Sequence, residues 1–150
     1  ILRELAQRMI VEPGTPAGWQ RILAVRRQLI EAGAHVLAPC PHQAACPLVS
    51  PDWCHFSRRV ARSRLHRLAK DADVPWEDEK FIYVAASRKL PTSHQARVLA
   101  PPKSGSGKVL LKLCGDDGTA TERLFTKRDG ADFKLARRLD WGDRLDNTAR

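Results

Sequence analysis

The chain has 150 residues, 43% of them hydrophobic, enough to bury one modest core without a metal supplying all of its stability. Its formal net charge is +9, with 18 Arg against 8 Lys, which favours an anionic partner, nucleic acid being the commonest for such a domain. No apolar run approaches the roughly 18 to 20 residues that span a bilayer, so no membrane role is expected.

The chain begins with Ile, shows no secretory signal pattern, and opens on what reads as the tail of a helix over 3–9. It is therefore expected to be a C-terminal piece of a longer protein. Met9-Ile10-Val11 is a short apolar run of the kind that forms a buried parallel strand. The strand ends at Glu12-Pro13-Gly14-Thr15-Pro16, where Thr15 fits a helix N-cap and Pro16 the first helical position. Ile22, Leu23, Leu29 and Ile30 then recur on one face until Gly33 stops the helix. Residues 34–38 read as the next strand, so the order predicts a βαβ unit and an α/β fold.

Residues 39–53 are rich in Pro, Cys, His and Asp and lack periodicity, which predicts a long loop with a function of its own. A helix is predicted over 56–70, with Val60, Ala61, Leu65 and Leu68 inward and Arg58, Arg59, Arg62, Arg67 and Lys70 on the other faces. Strands follow at 81–86 and 98–100, then a Pro/Ser/Gly linker at 101–107. Residues 108–114 and 119–126 form a hairpin around Gly115-Asp116-Asp117-Gly118. A short helix over 131–139 and a disordered tail over 145–150 complete the reading.

Cys40, Cys46 and Cys54 lie within one loop, and Cys114 ends a distant strand. Four thiolates are soft, anionic donors that suit tetrahedral zinc or a cubane iron-sulfur cluster, and the spacing alone does not choose between them. The spacing lacks the knuckles of ordinary zinc ribbons. Two disulfides and four unrelated buried thiols are the competing readings. His42 and His55, beside Cys40 and Cys54, are alternative ligands or hydrogen-bonding neighbours of the site. His35, His66 and His94 are read as structural.

The motifs Glu12-Pro13-Gly14-Thr15-Pro16, Ala38-Pro39-Cys40-Pro41-His42, Cys46-Pro47-Leu48, Asp52-Trp53-Cys54-His55-Phe56 and Asp78-Glu79-Lys80-Phe81 with Tyr83 come in a fixed order. In this the chain resembles the methyltransferase-like family of the ribosomal small subunit, from about residue 11 to residue 141. Mitochondrial members of that family act in small-subunit assembly and translation, and bacterial relatives exist. The resemblance implies the C-terminal part of a class I methyltransferase-like Rossmann sheet over 1–100, with an inserted Cys-rich metal-binding loop at 39–55. Residues 101–144 would add a β-hairpin and short helix that supply the fourth cysteine. It also implies a 4Fe-4S cluster on Cys40, Cys46, Cys54 and Cys114, and a site in the mitochondrial matrix for a eukaryotic protein or the cytoplasm for a bacterial one.

The glycine-rich loop and ribose-binding acid that would hold S-adenosylmethionine belong to the half of the fold not found in this sequence. Ser104-Gly105-Ser106-Gly107-Lys108 lies before a strand and does not replace them, so the methyl donor is expected only in a longer protein. Three functions follow. In the first, the protein binds the small subunit and its rRNA through Arg58, Arg59, Arg62, Arg67 and Lys70, with the cluster locking the neighbouring loop. In the second, it is an RNA methyltransferase whose strand end, with Glu12 and Gly14, lines a donor or substrate pocket, the catalytic residue being unassigned and Glu12 the one residue to test. The third is a zinc module, its metal held by the four cysteines, that binds nucleic acid. Redox or radical chemistry is disfavoured by the fourth thiolate.

Overall fold

The computed structural model describes residues 7–71, 73–92 and 95–146. Strand β1 (Gln7–Pro13) leads into helix α1 (Pro16–Glu31), which is capped as the sequence requires: Pro16 opens the helix and the Thr15 hydroxyl accepts from the Gly18 amide at 3.1 Å. Gly33 adopts φ +78° after the last turn, and β2 (His35–Ala38) follows. The helix end predicted over 3–9 falls partly outside the described residues, and within them residues 7–9 are strand.

The long strand β4 (Trp76–Ser87) organises the first sheet, whose order is β1-β4-β2, with β3 (Phe56–Ala61) also pairing with β4. Both β1 and β2 run antiparallel to β4 and hence parallel to each other. The βαβ order is thus present, but an antiparallel strand separates its two parallel members. The expectation of a buried parallel strand at 9–11 is corrected accordingly: β1 bonds to an antiparallel neighbour and exposes Met9 and Val11. Its opposite face carries Ile10, which packs with α1 over Ile82 and Val84 in the main core.

The helix predicted over 56–70 is also corrected. Residues 56–61 form β3, paired to the first half of β4 in the register Arg58↔Glu79 and Arg59↔Asp78, and only α2 (Arg64–Ala69) is helical, N-capped by Ser63. Opposite charges facing each other across the ladder stabilise the strand pairing. The apolar stripe that suggested a long helix finds no core: Leu65 is 79% and Leu68 69% exposed.

The second sheet is antiparallel. Its centre is β7 (Lys108–Cys114), paired on one side with β8 (Ala120–Thr126), and on the other with β5 (Ala96–Val98) at one end and β6 (Lys103–Gly105) at the other. The predicted hairpin is therefore present, the strand placed at 98–100 lies two residues earlier, and the predicted linker contains β6. Helix α3 (Ala131–Ala136), shorter than expected, covers this sheet through Phe133 and Ala136, forming a second core with Val109, Leu111 and Phe125. The chain stays ordered beyond the expected start of the tail: β9 (Arg144–Leu145) pairs with β5 and buries Leu145. Residues 147–150, and His94, lie outside the described residues. Among those described, no helix is long and apolar enough to cross a membrane.

Candidate metal centre

Residues 39–55 form the expected irregular loop, and it lies where the two sheets meet. Protein groups hold it at several points. The Gln43 carboxamide acts as a stand-in for a strand partner, accepting from the Val36 amide at 2.8 Å and donating to the Val36 carbonyl at 2.9 Å. Trp53 donates from Nε1 to the Gly14 carbonyl at 3.1 Å, and Asp52 pairs with Lys112 of β7. A loop this long has little apolar core, so side chains from neighbouring elements satisfy its backbone.

Cys40, Cys46, Cys54 and Cys114 all line one largely apolar cavity, walled by Trp19, Ile22, Leu48, Ile82, Val84 and Leu99. Three thiols come from the loop; the fourth is delivered by the end of β7, in register with Arg97 of β5. None is in a disulfide. Among the described residues no three Cys, His, Asp or Glu side chains converge closely enough to hold a single metal ion.

Burial raises the thiol of Cys40, with Arg26 acting in the opposite direction. Burial, reinforced by the neighbouring cysteines, pushes Cys54 well above its ordinary value and Cys114 up to about 12. These are protonated thiols at neutral pH, and any metal that takes them must displace protons.

Both histidines beside the cysteines have defined places. His42 is buried, and its Nε2 lies 3.4 Å from Cys114 Sγ. It is thus a neighbour of the fourth thiol. His55 packs between aromatic rings, stacked on Trp53 at 5.0 Å and edge-on to Trp141 at 4.8 Å, with burial lowering its basicity. His35 starts β2, and His66 lies 3.4 Å from Glu77.

Two arginines that the sequence pattern does not single out reach the same cavity. Arg26, on α1, donates from Nη2 to the carbonyls of His42 at 2.9 Å and Ala44 at 2.7 Å, and its Nε is buried without a partner. Arg97 donates from Nε to the Pro39 carbonyl at 3.0 Å and from Nη1 to the Gly142 carbonyl at 2.7 Å. A signal for the first existed: residue 26 lies four positions after Ile22, on the inward stripe of α1, where a charge is out of pattern.

The pair proposed for a donor pocket has these surroundings. Glu12 accepts from Arg21 Nε at 2.9 Å and Nη2 at 2.7 Å, which holds its carboxyl below the usual range. Gly14 lies against the β4 backbone, where an added Cβ would sit 2.7 Å from the Phe81 nitrogen, so its small size serves chain packing. The five basic residues expected to face RNA do not share one helix face. Arg59 pairs with Asp78 and stacks over Trp76 at 3.7 Å, while Arg62 and Lys70 converge on Glu77. Arg58 and Arg67, joined by Arg64, carry no ion pair among the described residues.

Over residues 2–146 the chain matches the family described as mitochondrial small ribosomal subunit Rsm22. It is 30% identical over 151 residues to the human ribosome assembly protein METTL17, mitochondrial, covering 91% of this chain and 32% of that protein. The Rsm22-cox11 tandem proteins 1 and 2, mitochondrial, of Schizosaccharomyces pombe are each 22% identical over 178 residues, covering 90% of this chain and 24% of theirs. The chain thus spans about a quarter to a third of the length of the curated relatives it matches.

Proposed function

The chain belongs to the mitochondrial small ribosomal subunit Rsm22 family, and from that premise we propose that it acts in small-subunit assembly, with a 4Fe-4S cluster on Cys40, Cys46, Cys54 and Cys114 clamping its two sheets together. The observation that carries the reading is the shared cavity: three thiols of one loop and a fourth from the second sheet line the same apolar space. A single tetrahedral zinc needs its sulfurs within about 2.3 Å of one point. A cubane takes one thiolate on each of its irons, so four thiolates lining one cavity suit it.

Bound there, the cluster supplies cross-links between the thiolates. The protein supplies the rest: the loop is already docked by Gln43, Trp53 and Asp52, so ligation stiffens an existing junction. In this reading the first sheet is the closing edge of the methyltransferase-like Rossmann sheet of the longer protein. The rRNA contact falls on the arm formed by β3, α2 and the start of β4, through Arg58, Arg64 and Arg67, which make no ion pair among the described residues, although Arg58 lies opposite Glu79 in the ladder. A mitochondrial location in a eukaryotic host follows from the same kinship, the human and fission-yeast relatives being named as mitochondrial.

The test is anaerobic purification of the full-length protein with iron and sulfide analysis and a visible spectrum. A brown protein with four irons and four sulfides per chain, as a cubane requires, is expected; a colourless, zinc-loaded one overturns the cluster. Methyl transfer by the longer protein is assayed separately, with labelled methyl donor and small-subunit RNA.

A further inference from the structure

We propose that Arg26, on α1, and Arg97, on β5, are the counter-ions of the tetrathiolate centre, matching its negative charge. The inference rests on the reading of the four cysteines as one metal site and concerns what that site requires of the chain around it.

Arg26 is 5% exposed; its Nη2 donates to two backbone carbonyls, and its side chain also hydrogen-bonds the Cys40 thiol. Arg97 is likewise held by the Pro39 and Gly142 carbonyls. Carbonyls satisfy donors but leave the charge in place. Neither guanidinium lies within ion-pair distance of a carboxylate among the described residues, whereas Arg21, Arg59 and Arg62 all do. The nearby Asp117 acts on His42 and Cys114, but its carboxylate is engaged by the Thr119 amide and hydroxyl, and Arg144 adds a further positive charge beside Arg97. Two uncompensated cations lining an apolar cavity carry a heavy desolvation penalty.

Loading changes that balance. Four thiolates contribute four negative charges and the oxidised cluster core two positive ones, so the loaded centre is a dianion facing two guanidiniums. A zinc tetrathiolate has the same net charge, and so the requirement holds for either metal. Charge near a cluster is one of the protein's levers on its reduction potential, and a cation within a low-dielectric cavity acts strongly on it.

The experiment uses the full-length loaded protein with R26Q, R97Q, R26K and R97K. Two quantities are read: the midpoint potential in a dithionite titration followed by electron paramagnetic resonance, and the rate at which metal is lost to a chelator. Each Gln variant should lower the reduced-to-oxidised ratio at fixed potential at least tenfold, about 59 mV for one electron, and speed metal loss at least tenfold. Each Lys variant, keeping the charge, should stay close to wild type in both. Gln variants with unchanged potential and retention overturn the proposal, as do Lys variants impaired as much as Gln. If the Gln variants fail to fold or load while the Lys variants do both, charge is what the site needs and the proposal stands; failure of all four assigns the arginines to loop geometry and overturns it. A wild-type protein that carries zinc removes the cluster reading alone, because the chelator measurement still tests the counter-ions.

Discussion

At the scale of single residues the fold depends on a few close approaches that composition hides. Gly18 sits in the first turn of α1, where an added Cβ would lie 2.0 Å from the Pro13 carbonyl oxygen. Alanine is favoured over glycine within a helix by about 1 kcal/mol, so propensity alone predicts that Gly18→Ala stabilises. The carbonyl ends β1 and accepts from the Thr15 amide at 2.8 Å, so it cannot rotate away without losing that bond at the helix start. Overpacking of this kind costs about 1 to 3 kcal/mol, and the steric effect should win. The urea midpoint of Gly18→Ala is expected to fall; a rise would show that α1 can slide on β1. The cysteines themselves were legible because their residue type names their chemistry. Arg26 left only a charge out of pattern on the inward stripe of α1, and Arg97 left no signal, since an arginine in a basic chain stands out only once the carbonyls around it and the lack of an acid are seen.

Among the elements, α1 and β7 were readable because local signals and tertiary environment agree: a Thr-Pro start for the helix, and a strand of alternating burial for β7. The arm misleads because its apolar residues Val60, Ala61, Leu65 and Leu68 have helical spacing. Pairing with the acidic start of β4 decides the matter, a contact that local sequence does not reveal. Glu77 is the arm's junction, accepting from Arg62 at 2.7 Å and Lys70 at 3.2 Å, and Arg62 foremost pulls its carboxyl down to about 2 from 4.5. A carboxylate depressed in the folded state contributes stability above its unfolded value and loses that contribution as pH falls through the folded one. The tip of the arm should therefore loosen between pH 4.5 and 2, seen as a change in the Trp76 indole resonance, and Glu77→Gln should show the loosened resonance already at pH 7. RNA binding separates the basic residues by partner. Arg64→Ala and Arg67→Ala should each weaken binding of small-subunit RNA and reduce its salt slope by about 1, while Arg59→Ala should act mainly on the arm's order. Equal effects from all three would place the contact elsewhere.

For the whole molecule the thiol cavity joins two sheets with separate cores, so its protonation bears on the stability of both. Cys114 lies in the first core although its strand belongs to the second sheet. Its thiol is raised from 9.0 to about 12, chiefly by burial, and Cys40 and Cys54 are raised in the same sense. In the metal-free protein the folded state then keeps protons that the unfolded chain releases above pH 9. The unfolded state binds fewer protons there, so stability falls with rising pH, by about 1.4 kcal/mol per pH unit for each such thiol. Below pH 9 both states hold the protons and the slope vanishes. A loaded centre has already given them up, so its stability should rise with pH through loading affinity and show no alkaline fall from these groups. Urea midpoints of metal-free protein at pH 7.5, 9 and 10.5 should drop only across the last interval, and Cys114→Ser should make that drop shallower by one thiol's share. An equally steep drop in Cys114→Ser would mean that the fourth cysteine is not buried with the other three, and the junction between the sheets would have to be sought outside the cavity.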